Sequence, residues 1–134
     1  MVALGLVVAS FNRPITERME ERAREAAAER EATIVETVTV PGSYDTPLAA
    51  DRLARREDVD AVAVLGAIIT GETDHDRIIG HAVAEGLTDV SLDRDTPVTL
   101  GVTGPGMTTE EARARIDRGA DAVESAIDLV TTRE

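Results

Sequence analysis

The residues best equipped for chemistry in this chain are few. There are two histidines, fourteen basic side chains that are all arginine, and no cysteine. His75 stands in "GETDHD", residues 71 to 76, between an apolar run and a helical pattern. It is the one imidazole in the inter-element segments, which makes it a natural proton shuttle. The competing reading is a solvated histidine in a helix-capping loop. In the same segment Gly71 lets the backbone come close to a ligand, and Thr73 is placed as an N-cap or hydroxyl donor. The free N–H groups at a helix start attract an anion such as phosphate. Glu72 opposes a phosphate there unless its side chain turns away. His81 lies six residues beyond His75, off the i, i+4 spacing of a helical metal pair, and reads as structural. With no second suitable ligand, no metal site is expected.

Two further groups stand out. Arg115 falls one to two turns into the last helical pattern, where its guanidinium could clamp a phosphate with a bidentate fork. By its spacing alone it reads as a surface arginine paired with Glu111 at i, i+4. Phe11, in "VVASFNRPITE" (7 to 17), is the sole phenylalanine and sits just past an apolar run, beside Asn12. An aromatic so placed can stack on a planar heterocycle. Otherwise it plugs the end of the core or packs on a neighbouring subunit. "TGPGMTTEE" (103 to 111) is glycine-bearing but lacks the GK[ST] ending of a Walker loop and the GxGxxG spacing of a dinucleotide fingerprint. A tight turn and a helix cap account for it.

The elements that must position these groups alternate regularly. "ALGLVVA" (3 to 9) has strand length, and "PITERMEERAREAAAERE" (14 to 31) has Pro14 at a plausible first helical position. "TIVETVTV" (33 to 40) is rich in β-branched residues. "PGSYDTP" is a turn, with Pro47 in the first turn of a helix to about Arg56. "DAVAVLGAII" (60 to 69) is continuously apolar, as in a strand covered on both faces. Ile78, Ile79, Ala82, Val83, Gly86, Leu87 and Val90 recur at helical spacing. "PVTLGVT" (97 to 103) is a fourth strand. Thr108 and Glu111 form a capping box opening one last helix, whose stripe runs Ile116, Ala120, Val123, Ile127, Val130. The pattern βαβαβαβα predicts one α/β domain over 1–134, a three-layer αβα arrangement around a four-stranded parallel sheet. Ligands bind such sheets at the carboxyl ends of the strands. The segments there are "SFNRP", "PGSYD", "TGETDHD" and "TGPGMT". They gather the lone Phe, the lone Tyr and one of the two His. Four strands make a small sheet, so the long apolar stripes are expected to continue into a neighbouring subunit.

Composition narrows the class. The core must be aliphatic, because 134 residues hold one Phe, one Tyr and no Trp. No apolar run approaches the roughly eighteen residues needed to cross a bilayer. Met1-Val2 leads straight into a strand-like run, so neither a signal peptide nor a long N-terminal arm is expected, and the expected location is the cytoplasm. The net charge of −12 disfavours nucleic acid and anionic membranes. It suits a salt-adapted protein from a halophilic cell, where self-repulsion is screened. GC-rich codon usage favouring Arg over Lys is the alternative.

Taken together, "FN", "VPGSYDTPLA", "LGAIITGETDHD" and "PVTLGVTGPGMT" resemble lumazine synthases, specifically the archaeal branch, from residue 3 to about 130. The resemblance implies a flavodoxin-like fold. It also implies condensation of 5-amino-6-ribitylaminouracil with 3,4-dihydroxy-2-butanone 4-phosphate to 6,7-dimethyl-8-ribityllumazine. An imine forms, phosphate leaves, and ring closure expels water, with no metal or organic cofactor. By this resemblance Phe11 stacks on the pyrimidine, accompanied by Asn12. Ser43, Tyr44 and Asp45 bind the ribityl chain and ring edge, and Ala67, Ile68 and Ile69 line the pyrimidine side. Gly71, Glu72 and Thr73 form the phosphate loop, and His75 is the catalytic histidine. Arg115 reaches the phosphate from the adjacent subunit, which reverses its local reading. Leu100 stands where many relatives carry Phe. Glu72 replaces a frequent Ala or Gly. The segment around 113 to 119 is shorter than in bacterial forms, leaving Arg118 as the stand-in for their site lysine. The resemblance further implies pentamers, in some members twelve of them in a hollow icosahedral shell.

Three rivals remain. Archaeal riboflavin synthase shares the fold and the "VPG" turn but lacks the GETxH loop. A non-catalytic flavin or lumazine carrier would not need His75 with Arg115. A receiver-like signalling domain would want an acidic cluster after the first strand, and "SFNRP" has none.

Overall fold

Strand and helix alternate along the chain in this computed structural model, which describes residues 1–71 and 74–133. β1 (Ala3–Ala9), α1 (Arg13–Glu29) and β2 (Thr33–Val40) are followed by a 3₁₀ turn, Ser43–Asp45, and α2 (Thr46–Ala54). Then come β3 (Ala61–Ile69), α3 (His75–Arg94), β4 (Val98–Met107), α4 (Thr109–Arg113) and α5 (Arg118–Arg133). The strands pair in parallel in the order β2-β1-β3-β4. This is the expected α/β three-layer fold, with β1 and β2 at the expected bounds.

Side-chain alternation along β3 makes the layers. Ala61, Ala63, Leu65 and Ala67 pack with Met19 and Ala23 of α1 and with Val123 and Ile127 of α5. Val62, Val64 and Ile68 turn the other way, against Ala50 and Leu53 of α2 and Val83 and Leu87 of α3. Both faces are covered, which is why this strand reads as an unbroken apolar run.

The strand order creates the crevice. β1 leads through α1 to β2 on one side of the sheet. β3 leads through α3 to β4 on the other side. α1 and α3 lie on opposite faces. The segments leaving β1 and β3 therefore part from each other at the carboxyl ends of adjacent strands.

The C-terminal region departs from expectation. One long helix was expected from the Thr108–Glu111 capping box to Val130. The capping box is present, with Glu111 N donating to Thr108 Oγ1 at 3.2 Å. However, α4 stops at Arg113 and α5 starts at Arg118. Between them Arg118 N donates to Arg115 O at 3.0 Å and Gly119 N to Ile116 O at 3.1 Å. Those tight i→i+3 bonds redirect the axis. Gly119 then lodges against the backbone of Met19, where a Cβ would overlap the Met19 carbonyl oxygen. The apolar stripe is also absorbed at home: Ile116, Val123 and Ile127 are buried in this chain's own core, with Val130 packed on it. It is not left over for a neighbour. The large apolar side chains that stay exposed are elsewhere, among them Phe11, Tyr44, Leu48, Ile78 and Leu100.

Gly119→Ala tests the α1–α5 contact. Helix propensity favours the substitution by about 1 kcal/mol. Overpacking against a backbone atom costs about 1–3 kcal/mol or more, since Met19 O cannot rotate aside. The clash wins, so we expect a net loss of about 1–2 kcal/mol, read as a lower urea midpoint with an unchanged slope. An unchanged midpoint would show that the two helices have room to spare.

Candidate active site

The segment after β1 is fixed from both sides. Ser10 N and Phe11 N donate to Val40 O and Pro41 O, each at 2.8 Å. Asn12 adopts φ 66°, a left-handed conformation that Asn tolerates better than most residues. Its side-chain Nδ2 donates to Ala67 O at 2.9 Å, tying the end of β1 to the end of β3. The Phe11 ring is consequently held outward and is 72 % exposed, which excludes the reading in which it plugs the core.

The segment after β2 makes a compact turn. Asp45 Oδ2 accepts from Gly42 N at 2.9 Å, and Thr46 Oγ1 donates to Ser43 O at 2.7 Å. Ser43 is buried against Gly66, where a Cβ would come within 2.7 Å of Ser43 Oγ. Tyr44 remains exposed. Ser43 and Tyr44 reach the crevice, but Asp45 does not. Its carboxylate closes the turn, and it lines a separate groove with Leu48 and Arg52.

β3 ends in Ala67, Ile68 and Ile69, and α3 begins at His75 with Asp74 as an N-cap that makes no side-chain capping bond. The first turn of a 20-residue helix, with its N–H groups and positive dipole end, thus adjoins the crevice. Glu72 and Thr73, assigned to the phosphate loop, lie outside the described residues. The result is a cleft of about 440 Å³ lined by Phe11, Asn12, Ser43, Tyr44, Ala67, Ile68, Ile69, Gly71 and His75. Asp76 and Ile79 complete it with Gly42. Those three were not singled out from the sequence. Ile79 was findable, because it stands at i+4 from His75 on the same helix face.

Leu100, Arg115 and Arg118 are not in this cleft. Leu100 sits lower on β4, paired with Val64, and shares a surface hollow with Arg118 and Asp121. Arg115 Nη1 donates to the backbone carbonyl of Glu111 at 3.1 Å, so the local pairing exists but goes to main chain. The Glu111 carboxyl is held below its ordinary value chiefly by the Thr108 N–H, with Arg115 a minor contributor. No arginine lines the cleft within one chain, among the described residues.

Such a cleft suits a flat ring on the Phe11 side and an anionic or proton-exchanging centre on the α3 side. Together with the parallel sheet, it defines an α/β protein whose candidate ligand cleft lies where the strand order reverses. A sequence profile described as 6,7-dimethyl-8-ribityllumazine synthase matches residues 1–134. A protein named 6,7-dimethyl-8-ribityllumazine synthase from Halorubrum lacusprofundi is 70 % identical over 96 % of this chain and 96 % of its own length. One of that name from Halobacterium salinarum is 68 % identical over 96 % and 97 %. One from Methanocaldococcus jannaschii is 48 % identical over 97 % and 92 %. The chain belongs to the 6,7-dimethyl-8-ribityllumazine synthase family.

The geometry gives Asn12 a mainly structural task, which two substitutions separate. Asn12→Gly loses the Ala67 hydrogen bond, about 1 kcal/mol. Asn12→Ala loses the bond and keeps a β-carbon in the left-handed region without asparagine's tolerance for it, about 1 kcal/mol worse than glycine. Denaturant midpoints should rank wild type, then Gly, then Ala. Equal midpoints for all three would remove the strut.

Proposed function

We propose that this chain condenses 5-amino-6-ribitylaminouracil with 3,4-dihydroxy-2-butanone 4-phosphate to 6,7-dimethyl-8-ribityllumazine. The 5-amino group attacks the ketone and forms an imine with loss of water. Phosphate then leaves, and the ribitylamino nitrogen closes the ring with loss of a second water. The observation that carries this reading is the meeting of an outward aromatic, Phe11, with His75 and the amino end of α3 in one cleft. Phe11 offers the pyrimidine a stacking face, and Ala67, Ile68 and Ile69 form the wall beside it. Ser43 and Tyr44 face the ribityl side. His75 moves protons between the amines, the imine and water. Gly71, Glu72 and Thr73 and the positive dipole end of α3 receive the phosphate. Holding two small substrates in register supplies much of the rate. Neither a metal nor an organic cofactor enters the scheme.

The phosphate also needs a cation, and among the described residues a single chain brings no arginine into the cleft. We therefore place Arg115 of a neighbouring copy beside the phosphate, with Arg118 as the stand-in for a site lysine and Leu100 facing the pyrimidine ring, in a ring of five copies. Residues 1–134 act as one domain in that ring, and the protein works in the cytoplasm. Among the described residues no helix is long and apolar enough to cross a membrane. The charge of −12 with no lysine, and relatives in the halophilic archaea Halorubrum lacusprofundi and Halobacterium salinarum, support a salt-dependent assembly.

His75→Ala should slow turnover by roughly ten- to a thousandfold with little change in binding of a pyrimidine analogue. His81→Ala should leave turnover near wild type. Lumazine fluorescence from the two purified substrates reads both. Equal losses would end the role given to His75, and no lumazine from wild type at any salt concentration would end the enzyme reading.

The shared site has its own test. Arg115→Ala should raise the KM for the butanone phosphate far more than that for the pyrimidine. Mixing it with His75→Ala subunits should restore part of the activity after reassembly, because some interfaces then hold both native residues. Assembly and activity should fall together as salt is withdrawn and repulsion is unscreened. A fully active monomer, or no recovery after demonstrated subunit exchange, refutes sharing.

A further inference from the structure

We infer that Asp76 is a positioning residue that latches the start of α3, and with it His75, onto a bulge near the end of β4. The inference rests on the function proposed above for its activity readout, but not for its geometry. Ala67 pairs with Thr103 while Ile69 pairs with Met107, so over that step β4 uses two more residues than β3. The surplus loops out at Gly104, Pro105 and Gly106. Gly104 has φ 92° and nests under Ile68, where a Cβ would overlap the Ile68 carbonyl oxygen. Thr70 N donates to Met107 O at 2.8 Å and closes the bulge against the end of β3. The bulge is thereby anchored to the strand that forms the cleft wall.

Its exposed side meets α3 at two successive residues. Pro105 rests on Gly80, where a Cβ would stand 2.6 Å from Pro105 Cδ. Gly106 N donates to Asp76 Oδ2 at 3.2 Å. Asp76 and Gly80 are i and i+4, so both contacts fall on one face of the first two turns. A carboxylate in a helix's first turn is favoured by the dipole, and an ionised acceptor strengthens the bond. The fully buried anchors of α3, Val83, Leu87 and Val90, lie farther along the helix, and the partly buried Ile79 packs on the same core nearer its start. The Asp76 latch acts one residue from His75, at the helix end that carries the imidazole. A misplacement of about 1 Å in a positioned group can cost up to about a hundredfold in rate.

Asp76 also lines the cleft, so direct contact with substrate is the rival account. Asp76→Ala and Asp76→Asn decide between them. Asparagine keeps an oxygen acceptor in the same place and removes the charge. We expect kcat to fall about tenfold in Asp76→Ala, with both KM values within about twofold of wild type. Asp76→Asn should recover most of that loss. Hydrogen exchange at the Gly106 amide should be slow in wild type and in Asp76→Asn, and faster in Asp76→Ala. The inference is overturned by an unchanged kcat in Asp76→Ala, by a loss that appears in KM, or by Asp76→Asn as impaired as Asp76→Ala. Equal Gly106 exchange in wild type and Asp76→Ala overturns it without reference to turnover. That separates failure of the latch from failure of the enzyme reading, which would show as a wild type that forms no lumazine.

Discussion

Parallel pairing of β1 with β3 is the constraint on which the rest of this molecule depends. Parallel neighbours cannot be joined by a tight turn, so each strand hands the chain to a helix that must cover one face of the sheet. β1 sends its helix to one face and β3 sends its helix to the other. The two exits diverge, and open space is left where the strands end. Phe11, Ser43, Tyr44 and His75 are arranged around that gap. The Asn12–Ala67 hydrogen bond keeps its floor from spreading, and the turn after β2 supplies its flank.

A second constraint follows from an almost purely aliphatic interior. Alanine lines much of the α1 and α5 face, so helices lie close to the sheet and to each other. Close approach leaves little room for error, and the α1–α5 crossing is tight enough that Gly119 cannot carry a side chain without displacing Met19. Surface pairs such as Arg30–Asp128, 2.7 Å apart, and Arg94–Asp51, 2.8 Å apart, join helices across the outside. Exposed pairs of this kind contribute little each, so the packing carries the stability.

Period and composition were enough to read most of this from the residues. β1 and β2 fall where apolar and β-branched runs placed them, because both signals are local. The cleft was legible too, since a lone Phe and a lone Tyr outside any apolar pattern have little reason to be in loops except to face something. What was not legible depended on long-range partners. Nothing local says that Asn12 points at Ala67. The break between α4 and α5 was hidden because Ala112, Ile116 and Val123 keep helical phase across it. Only Gly119 marked it, and a single glycine is a weak sign. The apolar stripe was misjudged as surplus for the same reason: its length was visible, but the depth of α1 against it was not. Asp76 was passed over beside a histidine, since its partner is a backbone N–H thirty positions away.

The placement of the aromatic side chains has an optical consequence. With no Trp, one Tyr and one Phe, the chain has almost no near-ultraviolet chromophore, and both rings it does have line the cleft. Absorbance near 280 nm comes from Tyr44 alone and grossly understates how much protein is present. In return, Tyr44 emission carries no background from the core. A change in its intensity or anisotropy therefore originates at the lining of this cleft, in a native chain that needs no label.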